Sequence, residues 1–107
     1  MKMVVAVVRT TCLEETVKAL EEAGVRGMTI SQIRGVGHQV TLSKPYAIHE
    51  RIEAIVPDEL AEKAMNIILG HAKTGLPGDG LIAVLPVESL MKIRTCEKVD
   101  DNTCKIL

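Results

Sequence analysis

The sequence predicts a single α+β domain in which two helices cover one face of a four-stranded antiparallel sheet. The first indication is the length, because 107 residues suffice for one core without disulfides. The second is the order of patterns: apolar runs of strand length and two amphipathic segments follow one another as strand, helix, strand, strand, helix, strand. The third is that no linker, repeat or low-complexity segment divides the chain.

The first strand and the first helix have the clearest patterns. Residues 3–8 form a continuous apolar run rich in valine, which is typical of a central strand buried on both faces. Thr11 and Glu14 have the spacing of a capping box, so we expect both to satisfy free N–H groups at the helix start. Apolar residues then recur at helical spacing as far as Gly24, which ends the helix.

The middle of the chain predicts two strands and a loop. Residues 28–36 alternate imperfectly between apolar and polar side chains and indicate the second strand. Residues 38–46 are polar and include a proline, which predicts an exposed loop. Residues 48–56 supply the third strand, and Pro57 ends it where the second helix begins.

The second helix and the last strands complete the pattern. The helix has an apolar line that includes Leu60, Ala64 and His71. Residues 81–87 predict a further strand, and residues 90–94 a short final one. The order βαββαβ is that of a ferredoxin-like sandwich. Because two helices cover only one face, the strands that are apolar on both faces predict a homo-oligomer.

Composition excludes some functions. The chain has one tyrosine, no phenylalanine and no tryptophan, and its formal charge is −1, so neither base stacking nor a basic surface favours nucleic acid. The apolar N-terminal run is too short for a membrane span, and no secretory pattern follows it. The three cysteines are an odd number, which favours a reducing compartment, and we expect a cytoplasmic protein.

The glycine-rich stretch 73–80 is the strongest local signal for a ligand. Glycines permit positive φ and leave backbone N–H groups accessible, and successive N–H groups in such a turn can bind phosphate oxygens. The alternative is an ordinary surface turn, because Pro-Gly and Asp-Gly pairs are common in turns. The stretch alone leaves both interpretations open.

Several short segments together indicate a family. They are Gly27–Ile30, Gly35–Gln39, Ile55–Asp58, Lys73–Gly75, Gly78–Gly80 and Ile93–Thr95. In this order they resemble the PII signal-transduction proteins over roughly residues 1–97, interrupted only by the loop after Gln39. The resemblance implies a homotrimer of ferredoxin-like subunits with adenine-nucleotide sites in the clefts between neighbours. Such proteins are sensors and not enzymes, and they report nitrogen or carbon status by docking a loop onto a transporter, enzyme or regulator.

The resemblance also assigns binding positions. Those in and after the second strand are Thr29, Gly35, Gly37 and His38. Those in the glycine-rich turn are Thr74, Gly75, Gly78, Asp79 and Gly80. Lys92 and Arg94 would reach the phosphates from the adjoining subunit, and Gln39 would help to hold Mg²⁺ and 2-oxoglutarate. No obligatory cofactor is expected; ATP, ADP or AMP would be the ligand, with Mg²⁺ as a companion ion.

Departures from the family pattern change the expected ligand. Leu81 occupies the place of a lysine directed at the phosphates, His38 replaces an arginine, and His49 replaces another lysine. Less positive charge around the outer phosphates implies that ADP or AMP competes well with ATP. The shortened loop contains Lys44 and Tyr46 as partner contacts, the alternative for Tyr46 being a ring that covers the loop base. A member linked to bicarbonate handling fits the sequence as well as a nitrogen regulator does, and any membrane contact would be through a protein target.

The C-terminal residues 96–107 form a tail after a domain of residues 1–95. Cys96 and Cys104 lie at the ends of a polar segment and could close as a redox pair, the alternative being two free thiols. No metal-ligand spacing and no catalytic triad can be assembled. Two other functions stay open: a structural or allosteric trimer without nucleotide, and an acylphosphatase-type enzyme, for which the chain offers only Asn66 and Asn102.

Overall fold

A computed structural model of the chain describes residues 1–37 and 46–101. In chain order its elements are β1 (Lys2–Val8), a 3-10 turn (Thr10–Cys12), α1 (Leu13–Glu22), β2 (Met28–Gly35), β3 (Ala47–Val56), α2 (Asp58–Ala72) and β4 (Leu81–Pro86). All strand pairs are antiparallel, in the order β2-β3-β1-β4. This confirms the predicted α+β ferredoxin-like fold and the central position of β1.

The register of the sheet decides which side chains form the core. Ala6 of β1 lies between Ile52 of β3 and Ile82 of β4, and residues directly opposite each other in antiparallel strands share a face. This face packs against α1 and α2. The core between the sheet and the helices includes the deeply buried residues Val4, Ala6, Val8, Leu20, Ile52, Val56 and Ile68. No helix in the described ranges is long and apolar enough to cross a membrane.

The opposite face, which we term the open face, is not covered by either helix; it is apolar along β1 and β4 and carries polar side chains such as Arg51 and Glu53 along β3. It is formed by the residues that alternate with the core-facing ones along each strand, including Val7 of β1, Ile55 of β3 and Leu85 of β4. Leu81 and Leu85 are 60% and 41% exposed. An apolar sheet face of this kind is typical of a surface that another chain covers.

The start of α1 differs from the sequence prediction. Thr11 lies in the 3-10 turn, and α1 begins at Leu13 without a side-chain cap. Cys12, the residue before the helix, has φ −97° and ψ −6°, whereas side-chain capping requires an extended backbone. The Thr16 hydroxyl instead donates to the backbone oxygen of Cys12 at 2.7 Å. The predicted capping box is therefore wrong.

The predicted final strand at residues 90–94 is also wrong. The chain turns back on itself in a segment that we term the C-terminal hairpin (residues 90–99). Met91 and Lys98 form a single bridge, and the Lys92 and Val99 amides donate to Glu97 and Leu90 at 3.0 and 2.9 Å. The backbone groups are thus paired within the hairpin and not with the sheet.

The buried face of α2 follows most of the predicted apolar line. Its buried residues are Ala61, Ala64, Ile68 and Ala72, and His71 is exposed. Leu60 and Ile67 are partly buried and pack against the same core. His71 was predicted to pack as part of this line, and that part of the prediction is wrong.

Candidate functional site

The glycine turn (Thr74–Gly80) connects α2 to β4. Gly75, Gly78 and Gly80 have φ values of +84°, +97° and +94°, in the region that favours glycine. At Gly80 a side chain is excluded as well, because a Cβ would lie 1.7 Å from the backbone oxygen of Val7. Close packing against the end of β1 therefore requires glycine at this position.

The carboxylate of Asp79 holds the turn together from inside. Its Oδ2 accepts hydrogen bonds from the amides of Thr74 and Gly75, both at 2.8 Å, and its Oδ1 accepts one from the Thr74 hydroxyl. These bonds, the Thr74 hydroxyl first, lower the pKa of Asp79 to about 2. The carboxylate is therefore ionised at neutral pH, and two amides that could have bound an external anion already bind an internal one.

Two further elements hold the turn from outside. The guanidinium of Arg9, just after β1, donates from Nη2 to the Pro77 oxygen at 2.7 Å and lies 3.4 Å from Asp79 Oδ1. In β3, the ring Nε2 of His49 lies 2.9 Å from the Gly78 oxygen, to which it can donate. Sequence reasoning missed Arg9. The available signal was the pairing of β1 with β4, because it places the residues after β1 beside the residues before β4.

An apolar cleft of about 360 Å³ opens beside the glycine turn, between α2 and the strands β1 and β4. Val7, Leu69 and Leu81 contribute to its wall, and Lys73 and Asp79 stand where it meets the turn. Leu81 occupies the position at which the sequence lacks an expected lysine. The wall beside the turn is therefore apolar where a positive charge was expected.

The predicted positions in β2 lie at both ends of that strand. Gly35 pairs with Ala47 at the end nearer the glycine turn, and Thr29 pairs with Glu53 towards the other end. Gly37 is exposed just beyond β2. His38, Gln39, Lys44 and Cys104 lie outside the described residues, so their predicted roles stay predictions.

Tyr46 lies at the base of the loop, next to β3. The Arg34 guanidinium lies 5.0 Å from the centre of its ring, a cation–π distance. The tyrosine is 37% exposed. The ring thus contacts β2 at the loop base, and a contact between Tyr46 and a partner protein stays a prediction.

Lys92 and Arg94 are far from the glycine turn within one chain. The turn precedes β4 and the C-terminal hairpin follows it, and the six residues of β4 span about 20 Å. Arg94 is exposed near the hairpin tip, and the Cys96 thiol, also exposed, lies 3.9 Å from the Ile93 oxygen. One chain therefore does not bring the predicted basic pair and the phosphate turn together.

Glu50 is a buried polar residue that the sequence reasoning did not single out. It is 7% exposed on the helix-covered side of β3 and accepts hydrogen bonds from Gln32 Nε2 at 3.1 Å and the Thr10 hydroxyl at 3.5 Å. The signal was its place in the alternation of β3, two residues before the buried Ile52. Asn66, the described asparagine of the acylphosphatase alternative, is exposed on α2. Among the described residues, no group of three or more histidine, cysteine or acidic side chains is placed to hold a metal ion.

Comparison with known proteins identifies the family. The family model described as "Nitrogen regulatory protein P-II" matches residues 1–97. A protein of that name from Azospirillum brasilense is 36% identical over 94% of this chain and 98% of its own length. Namesakes from Nostoc punctiforme and Rhodobacter capsulatus are 37% and 34% identical, over 92% and 94% of this chain and 96% and 98% of their own lengths. The chain therefore belongs to the PII family of nitrogen regulatory proteins, which are signalling proteins and not enzymes.

Proposed function

We propose that this chain forms a homotrimer that binds adenine nucleotides in the clefts between subunits and reports metabolic status to a protein target. The glycine turn of one subunit, apart from the two amides that Asp79 already occupies, forms the phosphate wall. Lys92 and Arg94 of the next subunit supply positive charge opposite it. Thr29, Gly35 and Gly37 contribute to the remainder of the cleft, and Mg²⁺ accompanies the phosphates where the nucleotide requires it.

The observation that carries this proposal is that the glycine turn and the C-terminal hairpin lie at opposite ends of β4. A preformed turn with three glycines at positive φ lies at one end, and an exposed basic hairpin lies at the other. Charged groups placed on two different chains can meet at one ligand only when subunits assemble. The apolar part of the open face, along β1 and β4, supplies a surface on which such assembly can occur.

The surroundings of the glycine turn also support a preference for nucleotides with fewer phosphates than ATP. The Arg9 guanidinium near it donates to Pro77 and lies within 3.4 Å of Asp79, and Leu81 adds no charge. Each additional phosphate adds negative charge that an anion site must balance, so ADP or AMP competes well with ATP. The metabolite that is reported together with the nucleotide is 2-oxoglutarate or bicarbonate, and the target is a transporter, enzyme or regulator.

Calorimetric titration tests the proposal. ATP, ADP and AMP are titrated separately, each with and without Mg²⁺, 2-oxoglutarate or bicarbonate. We expect at least one adenine nucleotide to bind with a Kd below about 1 mM, which corresponds to roughly −4 kcal/mol. Gly78→Val should abolish this binding, whereas Gly24→Ala, at a positive-φ glycine that ends α1, should preserve it.

A complementation experiment tests whether the site lies between chains. Gly78→Val damages the turn and Arg94→Ala damages the hairpin, so each variant alone should bind nucleotide weakly. In a mixture refolded together, a subunit with an intact turn can neighbour one with an intact hairpin, and part of the binding should return. Binding that is absent in the mixture but present in the unaltered protein would contradict a site shared between subunits.

A further inference from the structure

Ile93 is the most exposed of the large apolar residues at the C-terminal hairpin. Its side chain is 96% exposed at the tip, between Lys92 and Arg94. The hairpin that presents it is held by backbone hydrogen bonds, including Cys96 N to Lys92 O at 2.9 Å, and by the buried Val99. A single exposed isoleucine is ordinary, but one on a fixed projection is placed to enter a neighbouring surface.

The apolar cleft beside the glycine turn has a suitable size and lining for such a side chain. It measures about 360 Å³ and contains Leu69 and Leu81, which are 48% and 60% exposed. Val7 and Leu81 belong to the open face as well as to the cleft. A second copy that covers the open face is therefore already adjacent to the cleft.

Charge alone does not explain why these two regions would meet. The hairpin carries Lys92, Arg94 and Lys98 against one carboxylate, Glu97, and the turn has Arg9 and Lys73 beside Asp79. Two surfaces with an excess of positive charge repel each other unless an anion lies between them. An apolar contact is needed to hold them together before the anion binds.

We infer that Ile93 of one subunit inserts into the apolar cleft of the next subunit and anchors the C-terminal hairpin beside the glycine turn. The contact is heterologous, because the knob and the cleft are different surfaces of the same chain, and it closes into a ring when repeated. This inference rests on the proposed function, because it explains how the basic pair is brought to the phosphate wall. It also predicts that the anchor forms without nucleotide.

Cross-linking between differently labelled chains tests the contact. In a background of Cys12→Ser, Cys96→Ser and Cys104→Ser, one chain carries Ile93→Cys and the other Leu69→Cys. The two are mixed without nucleotide and treated with a short thiol–thiol cross-linker. We expect a covalent heterodimer of the two chains.

The matched control replaces Leu69→Cys by Glu59→Cys, an exposed position in the first turn of the same helix, and should give no such product. Equal yields from both pairs, or no product from either, would overturn the inference.

A second measurement uses assembly. Ile93→Asp should raise the protein concentration needed for half-assembly at least about tenfold, since burial of an isoleucine side chain accounts for that much or more. Ile93→Leu should leave it within about threefold, and circular dichroism checks that both variants fold. Ile93→Asp that assembles like the unaltered protein would contradict the inference.

The two proposals fail separately. Cross-linking through Ile93 without any nucleotide binding would support the anchor and remove the nucleotide site. Nucleotide binding without the cross-link would support the site and remove the anchor.

Discussion

The glycine turn and the C-terminal hairpin lie at the two ends of β4 and are stabilised in opposite ways. The turn is held by side chains from three places, namely Arg9, His49 and its own Asp79. The hairpin is held by its backbone and leaves Ile93 and Arg94 exposed. The difference teaches that one chain completes the shape of the turn, whereas the hairpin leaves exposed side chains for the contact proposed above.

The largest effect should come from breaking the turn at Gly80. Gly80→Ala places a Cβ 1.7 Å from the Val7 oxygen at a φ of +94°, so the end of β1 must move. We expect the free energy of unfolding to fall by about 3 kcal/mol, the sum of the backbone and crowding costs. Chemical denaturation at fixed protein concentration measures this free energy.

Gly75→Ala is the control. Its φ is +84° but no atom lies within 4 Å of the added Cβ, so the free energy of unfolding should fall by only about 1–2 kcal/mol. Equal losses would mean that contact with Val7 is unimportant.

Changing the hairpin should affect ligand binding and leave folding nearly unchanged. Arg94→Ala removes an exposed guanidinium, and we expect nucleotide affinity to fall about tenfold or more, as for a lost charge-assisted hydrogen bond. Calorimetry measures the affinity, and thermal unfolding checks the fold. Arg26→Ala, which removes an exposed arginine between α1 and β2, is the control and should bind as before. A loss of stability without a loss of affinity would reverse the contrast between the two regions.

Adding a positive charge beside the glycine turn should have a smaller effect, a change in the relative affinity for ATP and AMP. Leu81→Lys restores a cation at the edge of the glycine turn, so ATP should gain affinity relative to AMP by about fivefold, the scale of an exposed ion pair. Competition titrations measure this ratio, and light scattering verifies that the variant still assembles. Leu81→Met, which is uncharged, should leave the ratio unchanged. An unchanged ratio in the lysine variant would place the outer phosphates away from Leu81.

The smallest effect should be the pH dependence that Asp79 gives to the turn. Its pKa is lowered from 3.8 to about 2 in the folded chain, so the ionised carboxylate stabilises the fold above about pH 4. That contribution is lost as the pH falls through 2. The unaltered protein should therefore have a higher urea midpoint than Asp79→Asn at pH 5 to 7, and the gap should narrow between pH 4 and 2. A gap that is constant with pH would indicate that the charge of Asp79 does not hold the turn.

The order of elements could be predicted because hydrophobic periodicity is a local property. Residues 3–8 have no polar break, and β1 is one of the two interior strands of the sheet, as such a run predicts. The glycine turn could also be predicted from the sequence, because positive φ is a backbone requirement that few residues other than glycine meet.

The internal bonding of the site could not be predicted in the same way. Asp79 was assigned to a phosphate turn, but the contact with Arg9 spans 70 residues and depends on the β1–β4 pairing. The start of α1 was missed because a threonine and a glutamate at capping spacing do not reveal that a 3-10 turn precedes the helix. The spacing of residues along the chain predicts the helices and strands. The hydrogen bonds between them depend on how the strands pair, which local spacing does not reveal.

The carboxylate inside the glycine turn has a kinetic consequence. Because Asp79 already bonds to the amides of Thr74 and Gly75, the loop is ordered before any ligand arrives. Under the proposed function, nucleotide binding would require no folding of this segment, and the loss of chain entropy that accompanies loop ordering would fall on protein folding and not on binding. The response time of such a sensor would be set by how fast neighbouring subunits and the target rearrange, while the turn itself stays constant.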